Sequence, residues 1–289
     1  MMLSTLLLLF GAGMWAPGLE AVNIDVFPEY KISPIEKSWK IQKKIPSFTA
    51  RSVLLVDENS MVNLYSYNAN LRLPMASLTK LMTALLIVEN HDLNEIVLIS
   101  KASSVTEGST MNLQNGEMLT VQKLLKGLLM NSGNDAAIAL AEYHSGTVYE
   151  FVSLMNIRAH ELFLFNTNFV NPHGLDSSVH YASSRDLVVL AKQLWQYKEI
   201  QKIVDTQLDT VISEVSDDGT QTEHILKNTN KLLGTFFQVH GMKTGTTPNA
   251  GQCLMLVVEK NNKFYFLVIL GSEDRYQDAR NILYELLGE

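Results

Sequence analysis

The chain has 289 residues, 46% of them hydrophobic and 18% charged, with a net charge of −7. This is enough apolar material for one large domain or two modest ones, and it excludes wholesale disorder. The acidic balance provides no basic stripe for a phosphate backbone, so nucleic acid is excluded as a partner.

The first residues carry no charged side chain before Glu20 and an apolar run from Leu6 to Phe10, followed by Gly, Ala and Pro. The run is short for a membrane span, and residues 1–21 read as a signal peptide or an N-terminal membrane anchor. Residues 22–48, with Pro28, Pro34 and Pro46, read as a linker leading to a domain over 49–289. "SVLLVD" and "VNLYSY", joined by "ENSM", predict a first hairpin from Ser52. Apolar residues at helical spacing then predict helices over 76–90, 120–130, 134–144, 147–163 and 184–197, with Thr120, Thr147 and Ser183 as N-caps. "QCLMLVVEK" and "FYFLVILG" flank an Asn-Asn turn and predict a second hairpin, and "DARNILYELL" predicts a closing helix. The order implies an α+β fold: an antiparallel sheet built from both chain ends, flanked by helices, with a helical subdomain inserted. A cleft between the two parts is the expected place for a site.

The single cysteine, Cys253, excludes an intramolecular disulfide and any CxxC metal or redox pair. The dinucleotide, phosphate-loop, zinc-protease and nucleophile-elbow fingerprints are absent. What stands out is "PMASLTKLMTALL", which sets Ser77 and Lys80 one turn apart at the head of an oily helix. An S-x-x-K spacing alone arises roughly once by chance in a chain of this length, and Ser77 alone reads as an N-cap above a solvated lysine. Two further motifs change that reading. Ser132-Gly133-Asn134 falls at a junction of two predicted helices, and Lys243-Thr244-Gly245 opens a predicted strand at a sheet edge.

These residue types suit one chemistry. Serine is a weak nucleophile at neutral pH and needs an adjacent base. A lysine one helical turn on, desolvated and close to a second cation, loses its proton readily. Lys80 is thus the expected base for Ser77, and Lys243 the second cation. Ser132 can relay a proton to a leaving amine, Asn134 can hold Lys80 and a substrate amide, and the helix N-terminus favours negative charge developing near Ser77.

The ordered triple is shared by penicillin-binding proteins and class A β-lactamases. With "LRLPMASLTKLMTAL", "NGEMLTVQKLLKGLLMNSGNDAAIALAE", "NTNFVNPHGLD", "HYASSRDL", "HGMKTGTTPNAG" and "RYQDARNIL" in the same order, the chain resembles the serine-type D-alanyl-D-alanine carboxypeptidases from about Ser52 to Leu287. The resemblance implies a β-lactamase/DD-peptidase-like fold and trimming of the terminal D-alanine from peptidoglycan stem peptides through an acyl-enzyme on Ser77. It implies acylation by β-lactams, no cofactor or metal, and an exported protein of the cell envelope. Backbone N–H groups of Ser77 and Thr246 would form the oxyanion hole, and Thr244 and Arg275 would hold the substrate's terminal carboxylate beside Gly245. The chain stops one helix after its last strand, without the β-rich domain and amphipathic tail of many family members, so membrane attachment is expected to rest on the N-terminus alone.

Three rivals use overlapping residues. A DD-endopeptidase cutting cross-links would need the same groups. A β-lactamase needs a loop carboxylate, for which only Glu161 in "ELFLFN" offers itself, in a helical run. A non-catalytic wall-binding module would be expected to carry broken motifs. His173, Asp176 and His180 in "NPHGLDSSVH" have a spacing that could gather a metal, but the stretch is turn-rich and reads as a structural loop. His91, His144 and His160 read as exposed, and His240 reads as a cleft-lining residue without a role.

Overall fold

The computed structural model describes residues 46–215, 219–234 and 238–288. The expected signal or anchor over 1–21, and the linker up to residue 45, lie outside the described residues. Among the described residues no helix is long and apolar enough to cross a membrane.

Strands β1 (Ser52–Asp57) and β2 (Asn63–Tyr67) form the first hairpin, and β7 (Gln238–Thr247), β8 (Gly251–Lys260) and β9 (Lys263–Ser272) come from the other end of the chain. They join in one antiparallel sheet in the order β2-β1-β9-β8-β7, with Val53 opposite Ile269 in the β1–β9 ladder. The sheet is covered on both faces, which is why its inner strands read as unbroken apolar runs. Alternate residues nevertheless go to different cores. Leu54, Val56, Met255, Val257, Phe266 and Val268 face the large core under the helices. Val53, Leu55, Leu254, Leu256, Leu267 and Ile269 face a smaller core with Ala279, Ile282 and Leu283 of the last helix, α8 (Arg275–Leu287). Asn261 and Asn262, with φ of 52° and 58°, make the β8–β9 turn, because asparagine tolerates the left-handed conformation that a tight hairpin demands.

The remaining helices are α1 (Lys80–Asn90), α2 (Lys101–Ser104), α3 (Val121–Leu129), α4 (Asn134–Ser145), α5 (Val148–Glu161), α6 (Ser184–Trp195) and α7 (Lys198–Asp205). Helix α1 is buried continuously from Lys80 to Ile87, as a helix apolar on all sides must be. Thr120, Thr147 and Ser183 cap α3, α5 and α6 as expected, accepting from the backbone N–H of Lys123, Glu150 and Asp186.

Three features differ from expectation. The helix expected over 76–90 is a 3-10 turn, Ala76–Thr79, followed by α1, and Ser77 is not its cap. The pattern expected to stop at residue 197 continues after a break as α7, which buries Ile200, Ile203 and Val204. Two small two-stranded antiparallel sheets, β3 (Ile96–Leu98) with β4 (Met118–Thr120) and β5 (Leu208–Ile212) with β6 (Glu223–Lys227), were too short for a periodic signal. Ser47 and Phe48 are docked on the domain: Ser47 O accepts from Asn281 Nδ2, and the Phe48 ring meets Tyr65 and Tyr67 edge-on.

Candidate active site

The first motif stands on a strained turn. Ala76 has φ of +50°, a conformation disfavoured for a residue with a β-carbon, and Ser77 follows it at the start of the 3-10 turn. This bend brings Ser77 Oγ and Lys80 Nζ to 3.1 Å. Lys80 Nζ also donates to Asn134 Oδ1 at 2.7 Å and to the carbonyl of His173 at 2.6 Å, so three acceptors take up its three possible N–H groups. Lys80 exposes none of its surface. Burial pushes its pKa well below the ordinary lysine value, the nearby Lys243 pushes the same way, and Asp135 opposes both.

The second motif occupies the link between α3 and α4. Ser132 adopts φ of +61° there, and Asn134 begins α4. The amide of Asn134 is fixed at both ends, since its Nδ2 donates to Glu107 O at 2.7 Å while Oδ1 faces Lys80. Asp135, next along, is 1% exposed and gathers the backbone N–H groups of Met111 and Leu113, tying the 107–117 loop to α4.

The third motif lies on β7, the edge strand, as its position in the sheet requires for an open cleft. Gly245 passes so close to the nucleophile turn that a β-carbon there would sit 2.7 Å from Ser77 N and 2.9 Å from Ala76 Cβ. Lys243 is 1% exposed and donates to Thr244 O at 3.0 Å. Burial, and then the positive charge of Arg275, bring its pKa down to about 7. Thr244 Oγ1 is 2.7 Å from Thr229 Oγ1.

Arg275, at the start of α8, clasps the end of the edge strand. Its Nη1 donates to Gly245 O and Cys253 O at 2.6 and 2.9 Å, Nε donates to Gln252 Oε1 at 3.1 Å, and Nη2 donates to Thr246 Oγ1. The guanidinium thus holds the strand in place, and one Nη2 N–H remains of the five donors it carries.

Ser77, Ser132, Thr244, Gly245, Thr246 and Arg275 line one cleft of about 570 Å³. Lys80, Asn134 and Lys243 are buried. All nine residues expected from the sequence therefore converge. Seven cleft residues were not expected: Ser109, Thr229, Lys231, Gln252, Glu273, Asp274 and Tyr276. Of these only Tyr276 lies in a motif that carries the resemblance, "RYQDARNIL". The carbonyls of His173 and Glu107 were equally invisible, since any residue could supply them.

The histidines divide. His180 is buried, with Nδ1 accepting from Val170 N and Nε2 facing Thr79 Oγ1. His173 Nδ1 accepts from Leu175 N, and burial, helped by the Lys80 charge and then His180, lowers its pKa to about 3. Asp176 accepts from Thr247 Oγ1 at 2.6 Å and Asn249 N at 3.0 Å, which links that loop to the end of β7. Their polar atoms thus serve structural bonds, in line with the loop reading. His91 and His144 are part-buried rather than exposed: they pair at 2.8 Å, and His91 also bonds Glu95. His240 does not line the cleft; it packs against Trp195 and Phe264 and faces Glu259 and Asp205. Glu161 is exposed and pairs with Arg158 at the end of α5, outside the cleft lining.

A family model described as D-alanyl-D-alanine carboxypeptidase matches residues 40–274. The D-alanyl-D-alanine carboxypeptidase DacF of Bacillus subtilis is 40% identical over 228 residues, which cover 77% of this chain and 57% of DacF. The D-alanyl-D-alanine carboxypeptidase of Streptomyces sp. strain K15 is 31% identical over 253 residues, covering 82% of this chain and 87% of that one. The crystal structure of the Streptomyces K15 DD-transpeptidase matches with a TM-score of 0.81 at 30% identity, over 85% of this chain and all of that one. The chain spans 57% and 61% of the lengths of DacF from B. subtilis and DacC from Escherichia coli.

Proposed function

We propose, for a chain that belongs to the D-alanyl-D-alanine carboxypeptidase family, that it removes the terminal D-alanine from peptidoglycan stem peptides by serine catalysis and is acylated by β-lactams. The observation that carries this reading is the fully buried Lys80 Nζ at 3.1 Å from Ser77 Oγ. A lysine that burial holds below its ordinary pKa gives up its proton more readily and can then take that of Ser77, and its hydrogen bonds leave it one geometry in which to act.

Ser77 Oγ attacks the carbonyl carbon of the penultimate D-alanine, and its proton passes to Lys80. The oxygen that becomes negative is held by the backbone N–H groups of Ser77 and Thr246 at the point where Gly245 lets β7 approach. The peptide bond then breaks, with the amine of the departing D-alanine taking a proton by way of Ser132. Water hydrolyses the remaining ester and restores Ser77. Thr244 and the remaining N–H of Arg275 meet the substrate carboxylate, and Lys243 supplies the positive field around it. A β-lactam carbonyl takes the same attack and leaves a penicilloyl ester. Glu161, the one carboxylate with the spacing of a deacylating base, lies on the surface, which favours a long-lived adduct over rapid β-lactam hydrolysis. The substrate class places the work outside the cytoplasm, with residues 1–21 serving export or anchorage, residues 22–48 a linker and 49–289 the catalytic domain.

Intact-mass spectrometry after incubation with benzylpenicillin, beside Ser77→Ala, tests the nucleophile, and release of D-alanine from a stem pentapeptide tests the substrate. A single stable penicilloyl adduct confined to the wild type, with D-alanine released, is expected. Antibiotic left unconsumed without an adduct, or consumed without one, overturns the reading.

A further inference from the structure

One buried titratable side chain touches the nucleophile turn and has no part in the chemistry above. His180, 2% exposed, lies between α5 and α6. Its Nδ1 accepts the N–H of Val170 at 3.0 Å, which leaves the ring proton on Nε2. Nε2 is 2.7 Å from Thr79 Oγ1 and donates to it, because Thr79 directs its own proton to the carbonyl of Ala76 at 2.8 Å. The hydrogen bonds therefore run one way, from Val170 through His180 and Thr79, and end on the carbonyl of the strained residue that precedes Ser77. Gly174 packs close to the same peptide, since a β-carbon there would stand 2.0 Å from Ala76 O.

We propose that His180 is a positioning residue: acting through Thr79, its neutral ring fixes the peptide between Ala76 and Ser77 in the orientation that aims Ser77 at Lys80. The inference rests on Ser77 being the nucleophile. Rotation of the Ala76–Ser77 peptide turns the Ala76 carbonyl away from Thr79 and carries Ser77 Oγ off the Lys80 line, and displacements of this kind are costly to a reaction that depends on near-attack geometry. Imidazole suits the task because a single neutral group both accepts and donates. Burial keeps it neutral, with a pKa of about 4 even though Asp176 pulls the other way.

The test uses the full chain and reads the second-order rate of acylation by benzylpenicillin per acylatable molecule, with thermal unfolding measured in parallel. His180→Leu and Thr79→Val are each expected to slow acylation on the order of ten- to a hundredfold. The double variant is expected to be no slower than either one, since both break the same chain. His180→Gln, with one acceptor and one donor, is expected to recover most of the rate, and kcat on a stem pentapeptide should fall more than KM rises. His180→Leu acylated within twofold of wild type, equal slowing in His180→Gln and His180→Leu, or multiplying losses in the double variant overturns the proposal. Where His180→Leu does not fold, Thr79→Val decides, and a wild-type rate there overturns it. A wild type that takes no acyl group, or a Ser77→Ala that still does, removes the assignment of Ser77 itself.

Discussion

His224 and Glu117 meet at 2.5 Å with almost no exposed surface, where the β5–β6 hairpin closes on the loop that brings Ser109 to the cleft. The other ring nitrogen, Nδ1, faces the carbonyl of Met111 at 2.9 Å. Both nitrogens thus face acceptors, which only the imidazolium satisfies. Burial alone would depress its pKa, but the hydrogen bond and charge of Glu117 outweigh burial and raise it.

A pH dependence of stability follows. The folded-state pKa of His224 lies above the ordinary 6.5, so the stability that the pair contributes is complete below about pH 6.5 and is lost as pH rises through the folded value. Urea unfolding at pH 6 and pH 8.5 is expected to show this loss in wild type relative to Glu117→Gln, which should be weaker at pH 6 by roughly 3 kcal/mol and flatter across the range. Parallel pH profiles for the two proteins would sink the assignment.

Lys243 predicts an opposition between stability and catalysis. Its pKa of about 7 means that folding buries a charge against its preference at and below neutral pH, a penalty relieved as pH rises from about 7 towards the ordinary lysine value of 10.5. Lys243→Met is expected to be more stable at pH 6 by about 1–3 kcal/mol, yet acylated far more slowly. Lys243→Arg, charged throughout, should move the alkaline limb of the acylation profile upward. Chemical unfolding and pH-dependent acylation check the two halves separately.

Gly245→Ala puts a methyl group 2.7 Å from Ser77 N. Only backbone movement can relieve that contact, and it separates Ser77 from Thr246, the two donors assigned to the oxyanion. A loss of acylation rate of about a hundredfold or more is expected, with little change in unfolding temperature because β7 is an edge strand. An alanine variant acylated at the wild-type rate would show that the close approach has no catalytic weight.

Asp176 couples the loop behind Lys80 to the end of β7 through Thr247 and Asn249. Asp176→Ala leaves those donors unmatched and is expected to cost about 1–3 kcal/mol in unfolding. Acylation should slow as well, because the same loop supplies the His173 carbonyl to Lys80. Calorimetry paired with acylation kinetics checks both, and a stability loss with unchanged kinetics would separate the loop from the site.

Much of this was readable from residue types and spacing, and the reasons differ by residue. Ser77, Lys80, Ser132 and Lys243 could be expected to come together because few side-chain types suit acyl transfer by a serine. The sheet was legible because its strands are apolar enough to be buried on both faces and because an Asn-Asn turn has few uses other than a hairpin. The carbonyls of His173 and Glu107 were not, since every residue carries the same group. The bend at Ala76 was hidden because alanine advertises no left-handed preference; loop packing imposes it. His91, His144 and His240 were misplaced for one reason: a histidine on a polar-looking stretch says nothing about the partner that tertiary structure brings to it.

Thr49 and Asp278 are joined by a hydrogen bond across 229 residues of chain, and the strands beside them are knitted together from opposite ends of the molecule. Ser77 and Lys80 emerge early in synthesis, and β7 with the Arg275 that clasps it follows much later in the chain. The cleft therefore closes only when segments far apart in the chain have met, so the pairing of distant strands decides whether Gly245 comes to face Ser77.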